Sequence, residues 1–288
     1  MNRQKSFIDN KPILYLVATP IGNLEDITYR AIKILNSVFV CFAEDTRVTK
    51  VLFNHYNIET PLETYQEHNK EVASSNILKY LEDGHDVALV SDAGNPIVSD
   101  PGFLVCKRVI EKGYSVVPIP GASASLSALI SSGIDATSFT FYGFLDSRQA
   151  KRIKELKELK EKKETLIFYE APHRIRESLE DMLEVLGDRD ICLCREMTKK
   201  FEEFIRGSIS EVLTIIDELK GEMVVIVSGN KEDGSNYQDI SPIDQIDELI
   251  LAGMAKNNAI KAVAKRMNID KNELYKEYIN EKEKLNRQ

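Results

Sequence analysis

A chain of 288 residues with 43% hydrophobic and 29% charged residues has an ordinary globular composition, with length enough for two domains and a small appendage. No apolar run approaches the roughly 18 residues needed to span a bilayer, and Met1 to Lys11 lacks the apolar core of a secretory signal, so the expected location is the cytoplasm. A net charge of −8 argues against a general nucleic-acid coat, and Cys41, Cys106, Cys192 and Cys194 have neither disulfide-framework nor zinc spacing.

From Ile13 to about Ser132, apolar runs alternate with helix-like stretches, the pattern of βαβ units around a mainly parallel sheet. Strands are predicted near 13–18, 38–43, 86–91 and 115–119, and helices near 26–36, 46–55, 70–82, 102–112 and 122–132. Residues 1–120 are taken as an N-terminal α/β domain and 121–230 as a second one. In the second, strands are expected at 139–142 and 165–169, with a helix at 148–163 between them and another starting from Pro172. Runs at 190–195, 202–206 and 223–227 complete a mixed or antiparallel sheet, with a helix near 208–219. Cys192 and Cys194 lie two apart in an apolar strand, share one face, and read as core.

Residues 231–288 are assigned to a linker and a helical tail. The polar stretch Asn230 to Asp239 is the expected linker. Beyond it, Ala259-Ile260, Val263-Ala264, Ile269 and Leu274-Tyr275 are spaced as in a helix-turn-helix, and the mixed charge favours a packing module over a DNA reader.

Three of the N-terminal strands run into Gly/Pro loops: Thr19-Pro20-Ile21-Gly22-Asn23, Asp92-Ala93-Gly94-Asn95-Pro96, and Pro120-Gly121-Ala122-Ser123-Ala124. In an open α/β sheet, ligands bind outside the carboxyl ends of the strands, so three such exits describe a pocket built largely of main chain. The loops hold neither G-x-G-x-x-G nor G-x-x-x-x-G-K-[ST], which excludes the common dinucleotide and P-loop sites. Gly121 to Ser125 is a near miss to the nucleophile elbow of serine hydrolases, with Ser125 where Gly is needed. Its later histidine is His173, and no acid partner is marked out.

Charged residues also follow strands: Glu44-Asp45-Thr46-Arg47, Glu170, and Arg195-Glu196. Several acids at strand ends point to a polar cleft between the domains, although an acid such as Asp45 serves equally well as a helix cap. One segment of this acidic chain is markedly basic: Arg148 to Lys163 carries eight basic residues against three acidic.

Seven segments in order then carry a resemblance: Val17 to Leu24, Ala43 to Arg47, Ser91 to Gly94, Ser99 to Gly102, Pro120 to Ala124, Phe168 to Arg174, and Arg195 to Lys199. Together they closely resemble the small-subunit ribosomal RNA methyltransferases of the tetrapyrrole methylase superfamily, over about Ile13 to Val227, and the helical tail fits too. The resemblance implies two α/β domains of the class III methyltransferase type with S-adenosylmethionine bound in the cleft between them. It implies a homodimer, and 2′-O-methylation of a cytidine ribose in the decoding region of small-subunit rRNA, within the assembled subunit. Asn95 stands where the family often has Thr, and Asp146-Ser147 replaces a Pro and a basic residue often found there.

Cofactor contacts are expected from Pro20, Gly22, Asp92, Ala93, Gly94, Asn95, Pro96, Ser123 and Ala124; the resemblance adds Tyr142, Val224 and Val225. No metal is expected. A ribose hydroxyl needs a proton acceptor, for which Asp45, Glu170 and Glu196 are the unranked candidates. For Glu170 and Glu196 the plainer alternative is an ion pair with Arg174 and Arg195. Phosphate contacts are expected from Arg47, Arg174, Arg195 and Lys199, and from Arg148, Lys151, Arg152 and Lys154 of the basic segment. Other readings are methylation of a tetrapyrrole carbon, a serine hydrolase centred on Ser123, and a non-catalytic RNA-binding assembly factor.

Overall fold

A computed structural model describes residues 3–8, 11–230, 241–251, 254–267 and 269–285. The chain divides into two compact units, Met1–Asn230 and Lys231–Gln288.

The first unit holds two five-stranded sheets. In the N-terminal one, β1 (Ile13–Val17), β2 (Val40–Ala43), β3 (Leu62–Thr64), β4 (Val87–Val90) and β5 (Ser115–Ile119) are all parallel, in the order β3-β2-β4-β1-β5. Helices α1 (Tyr29–Ser37) and α2 (Thr46–His55) pack on the face carrying Tyr15, Val17, Cys41 and Val90. Helices α3 (Lys70–Glu82) and α4 (Phe103–Glu111) pack on the face carrying Leu14, Phe42, Val87 and Leu89. A sheet covered on both faces needs apolar residues at every position, which is why β1, β2 and β4 read as continuous apolar runs. Pro118 is tolerated because β5 is an edge strand. The sequence reading missed β3, a three-residue edge strand whose residues are at best half-buried and show no pattern.

The neighbours β1 and β4 send their following helices, α1 and α4, to opposite faces of the sheet. Their connecting loops therefore diverge and leave a crevice at the strands' carboxyl ends.

The second sheet comprises β6 (Phe139–Phe144), β7 (Thr165–Glu170), β8 (Asp190–Arg195), β9 (Glu203–Ser208) and β10 (Met223–Val227), in the order β6-β7-β10-β8-β9. Only β6 and β7 run parallel, so the sheet is mixed. Helix α5 (Ala124–Ser132) covers one face through Ala128 and Leu129, where Cys192 and Cys194 are buried as expected. Helices α6 (Gln149–Leu159), α7 (Ile175–Leu186) and α8 (Ile209–Leu213) cover the other. Some boundaries move. Pro172 sits in a turn ahead of α7 rather than in its first turn, and α6 stops four residues short of the expected Lys163. The helix expected near 208–219 splits into α8 and a 3₁₀ turn at Ile216–Glu218.

The Lys231–Gln288 unit contains α9 (Pro242–Leu251), α10 (Lys256–Met267) and α11 (Lys271–Leu285) around its own core of Ile246, Ile260, Val263, Leu274 and Tyr278. Tyr275, expected in that core, is 39% exposed, and Tyr278, one helical turn from Leu274, fills it instead. The expected linker beyond Asn230 lies outside the described residues. No helix among the described residues is long and apolar enough to cross a membrane.

Candidate active site

The loops leaving β1, β4 and β5 are joined through main chain. Thr19 and Gly94 exchange two backbone hydrogen bonds, N–H to C=O, of 2.9 and 3.0 Å. The Thr19 hydroxyl donates to the Ser91 carbonyl (3.1 Å), and the Asn95 side-chain amide donates to the Ala122 carbonyl (3.2 Å), tying the second loop to the third. Gly94 has φ +79°, a left-handed conformation that glycine adopts without strain. At Gly121 the requirement is space, since an added Cβ lies 2.8 Å from the Ala18 Cβ.

A cleft of about 500 Å³ opens between these loops and the rim of the second sheet. Of the expected cofactor residues, Asp92, Ala93, Gly94, Asn95, Ser123, Ala124 and Val224 line it. The others do not. Ile21 takes the place expected for Pro20 and Gly22, and Gly22 lies beneath Lys199, whose Cγ sits 2.6 Å from where a Cβ would be. Pro96 is buried beside the lining rather than in it. Val225 faces the α6–α7 side because strand side chains alternate, so of the two valines it is Val224 that faces the cleft, with Met223 beside it at the start of the strand. Tyr142 is corrected for the same reason: it packs on Phe168, on the opposite face. A bulge between Phe141 and Gly143 then shifts the alternation, so that Phe144 lines the cleft with Tyr169.

The cleft is acidic. Glu44, Asp92, Asp100, Glu170 and Glu222 line it, and its lining contains no Lys, Arg or His. Burial, reinforced by the charges of Glu44 and Asp92, pushes the Asp100 carboxyl up to about 6. Burial, with the charges of Asp92 and Asp45, raises Glu44 as well. Sequence reasoning selected neither Glu44 nor Asp100, although both stand inside motifs it quoted. The available signal was an acid immediately after a strand and another in a Gly/Pro-rich loop.

The three acids expected to accept a proton are all engaged elsewhere. Asp45 caps α2, accepting from the Arg47 backbone N–H (2.8 Å) and from its guanidinium (2.6 Å). Arg47 holds its carboxyl down at about 2. Asp45 is absent from the lining but supports it, since its backbone N–H donates to Asp92 (2.9 Å). Glu170 does line the cleft, where its buried carboxylate accepts from Arg174 (2.7 Å), Ser178 and the Ala171 backbone N–H. Glu196 lies outside the lining and accepts from the Glu222 backbone N–H (3.0 Å) and Lys199 (3.1 Å). The backbone N–H of Glu222 is the main cause that holds its carboxyl below the ordinary range.

The expected cations are similarly dispersed. Lys199 bridges Glu196 and Glu222, while Arg195 pairs with Glu203 (2.8 Å) rather than with Glu196. Arg148 and Lys151 both lie against Asp146. Arg152 is 1% exposed, pairing with Asp181 (2.6 Å) between α6 and α7, so it faces inward and not toward a nucleic acid. Lys154 is exposed. Ser123, the hydrolase candidate, caps α5 and shares a hydrogen bond with Ser125, with no histidine in the lining to activate it.

Two sheets joined at a cleft on parallel-strand ends place the chain in a recognisable class. A family model described as Tetrapyrrole (Corrin/Porphyrin) Methylases matches residues 13–213. The solved uroporphyrin-III-C-methyltransferase from Thermus thermophilus shares the fold, with a TM-score of 0.56 at 18% identity, over 76% of this chain and 94% of that one. A Bacillus subtilis protein named Ribosomal RNA small subunit methyltransferase I is 48% identical, over 96% of this chain and 98% of the relative. A relative of the same name from Halalkalibacterium halodurans is 45% identical, over 96% and 99%. The chain belongs to the ribosomal RNA small subunit methyltransferase I family of tetrapyrrole methylases.

Proposed function

We propose that the chain transfers a methyl group from S-adenosylmethionine to the ribose 2′-oxygen of a cytidine in the decoding region of small-subunit rRNA. The observation that carries the cofactor is the cleft itself: a main-chain rim at parallel-strand ends, with five acids and no basic side chain in its lining. That environment suits a compound bearing a sulfonium and an ammonium, and repels a polyanion. The names of the relatives support small-subunit rRNA as substrate. The cytidine 2′-oxygen, the assembled subunit and the homodimer rest on the motif resemblance, and the rRNA-modifying relatives support a cytoplasmic location.

When bound, S-adenosylmethionine supplies an electrophilic methyl group. The Asp92–Asn95 and Ser123–Ala124 segments, which line the cleft, would hold it by backbone and short polar groups, with Ile21 and Val224 as apolar walls. Positioning then supplies much of the acceleration, because an in-line displacement depends on alignment. The exposed Lys154 and Lys157 of α6 are candidate phosphate contacts for the RNA.

Radiolabelled methyl transfer to small subunits purified from cells lacking the enzyme, followed by mapping of the labelled nucleotide, tests this reading. Label on the 2′-oxygen of a decoding-region cytidine is expected; transfer to a tetrapyrrole carbon, or none at all, overturns it. The double variant K154A/K157A is expected to weaken rRNA binding and reduce the slope of log affinity against log salt by about 1.5, as loss of two phosphate contacts requires. An unchanged slope in a filter-binding titration removes α6 from the interface.

A further inference from the structure

A ribose hydroxyl becomes an effective nucleophile only as a base takes its proton. Asp45, Glu170 and Glu196 are each held by cations or backbone N–H groups, and Asp92 accepts the backbone N–H of Asp45. Asp100 differs. It lines the cleft on the loop between β4 and α4, its carboxyl in a hydrogen bond with the neutral Ser91 hydroxyl and with the acids Glu44 and Asp92 as charged neighbours. Glu170 and Glu222 are the acids contributed from the second sheet.

The loop that carries Asp100 is firmly seated. Ile97 and Ser99 have φ of +79° and +68°, conformations that non-glycine residues hold only when their surroundings enforce them. Gly102 admits the Ile97 side chain where a Cβ would sit 2.8 Å from its Cγ1, and the Ser99 hydroxyl lies 3.3 Å from a Cβ built at Gly143 of β6. The loop thus spans from the first sheet to the second and sets a carboxylate in the cleft between them.

We propose that Asp100 is the proton acceptor of the methyl transfer, an assignment that rests on the functional reading above. The ribose O–H bond breaks toward the Asp100 carboxylate, and the oxygen electron pair forms the new O–CH₃ bond. The S–CH₃ bond breaks with its pair left on sulfur as a neutral thioether, and the proton passes from Asp100 to water. The raised carboxyl supports the role, being ionised at neutral pH yet more basic than an ordinary carboxylate.

The test compares wild type, Asp100→Asn and Glu44→Gln. In single-turnover methyl transfer to small subunits, D100N is expected to be at least ~100-fold slower, with S-adenosylmethionine affinity by calorimetry within about threefold of wild type. Carboxyl ¹³C NMR, with the Asp100 signal assigned by its absence in D100N, is expected to titrate near 6 in wild type. The midpoint should fall in E44Q, because a neighbouring negative charge is removed. Stability provides a third readout. Ionising a carboxyl that is raised in the folded state costs stability as pH rises from the unfolded value through about 6, so D100N should melt higher than wild type at pH 7.5 and equally near pH 3.

D100N turning over within threefold of an active wild type overturns the assignment. So does a slow D100N that has lost its cofactor affinity, since that makes Asp100 a binding group. A wild type that methylates no RNA overturns the functional reading itself, and the assignment with it.

Discussion

Replacing Arg152 with Met is expected to lower the unfolding free energy by about 3–5 kcal/mol in a urea titration. Arg152 and Asp181 are the buried ion pair of the α6–α7 interface, with side chains 2% and 4% exposed and a 2.6 Å contact. The guanidinium also donates to the Ser147 carbonyl (3.3 Å), while Gln149 donates to the second Asp181 oxygen (3.0 Å). Met has nearly the right length and no charge, so the cost arises from leaving the buried Asp181 carboxylate without its cation, with Gln149 still donating to it. Removing both charges in R152M/D181L should therefore recover most of the loss, and that recovery distinguishes a stranded charge from poor packing. Lys154→Ala, on the exposed side of the same helix, is expected to stay within about 0.5 kcal/mol of wild type. An R152M cost under about 1 kcal/mol would show that the pair contributes little to the interface.

Gly121→Val is expected to weaken S-adenosylmethionine binding by about 100-fold, close to 2.8 kcal/mol. The new Cβ meets the Ala18 Cβ at 2.8 Å and the Ala18 carbonyl oxygen at 3.4 Å, both on the chain leaving β1. Neither is the free end of a flexible side chain, so the exits of β1 and β5 must separate. Ser123 and Ala124, which line the cleft two and three residues later, move with them. Overpacking of this kind also costs about 1–3 kcal/mol of stability, so a control that is destabilised without touching the cleft is needed. Gly187→Ala supplies it. Gly187 has φ +84° and ψ 179°, a conformation essentially confined to glycine, with open space around it, so its substitution costs about 1–3 kcal/mol through the backbone alone and should leave affinity unchanged. Calorimetry on both variants checks the contrast; a G121V that binds like wild type removes this contact from the site's construction.

Much of the fold was legible because it rests on local patterns. Val87–Val90 and Val40–Ala43 read as buried parallel strands from their continuous apolar runs, and both are. The three Gly/Pro exits were legible as one rim, since parallel strands must end on the same edge. β3 was not legible: its register against β2 comes from the neighbouring strand and not from its own three residues.

The site was legible only by segment. Period two places Val224 and Val225 on opposite faces, and knowing which faces the cleft requires knowing where α5 packs. Phe144 was not legible as a cleft residue because the bulge after Phe141 resets the alternation, and no residue pattern marks it beyond a single glycine; Tyr142, next to Phe141, lies on the opposite face by ordinary alternation. Arg152 reads in sequence as one of eight cations on a basic segment; only the approach of α7 makes it a buried partner of Asp181.

By itself, then, the amino-acid order determined the class of fold, the strands that meet at the rim, the loops that leave them and the family the chain belongs to. The fold class, strands and loops follow from hydrophobic periodicity and from Gly and Pro acting within a few residues, whereas the family followed from the resemblance of seven ordered motif segments. The tertiary structure decided which charges are free to act. Asp45, Glu170 and Glu196 are indistinguishable as acids until Arg47, Arg174 and Lys199 fold against them, and the Asp100 carboxyl is raised only when burial and the charges of Glu44 and Asp92 converge on it. Desolvation and Coulomb interaction depend on distances through space, and residues far apart in the chain set those distances.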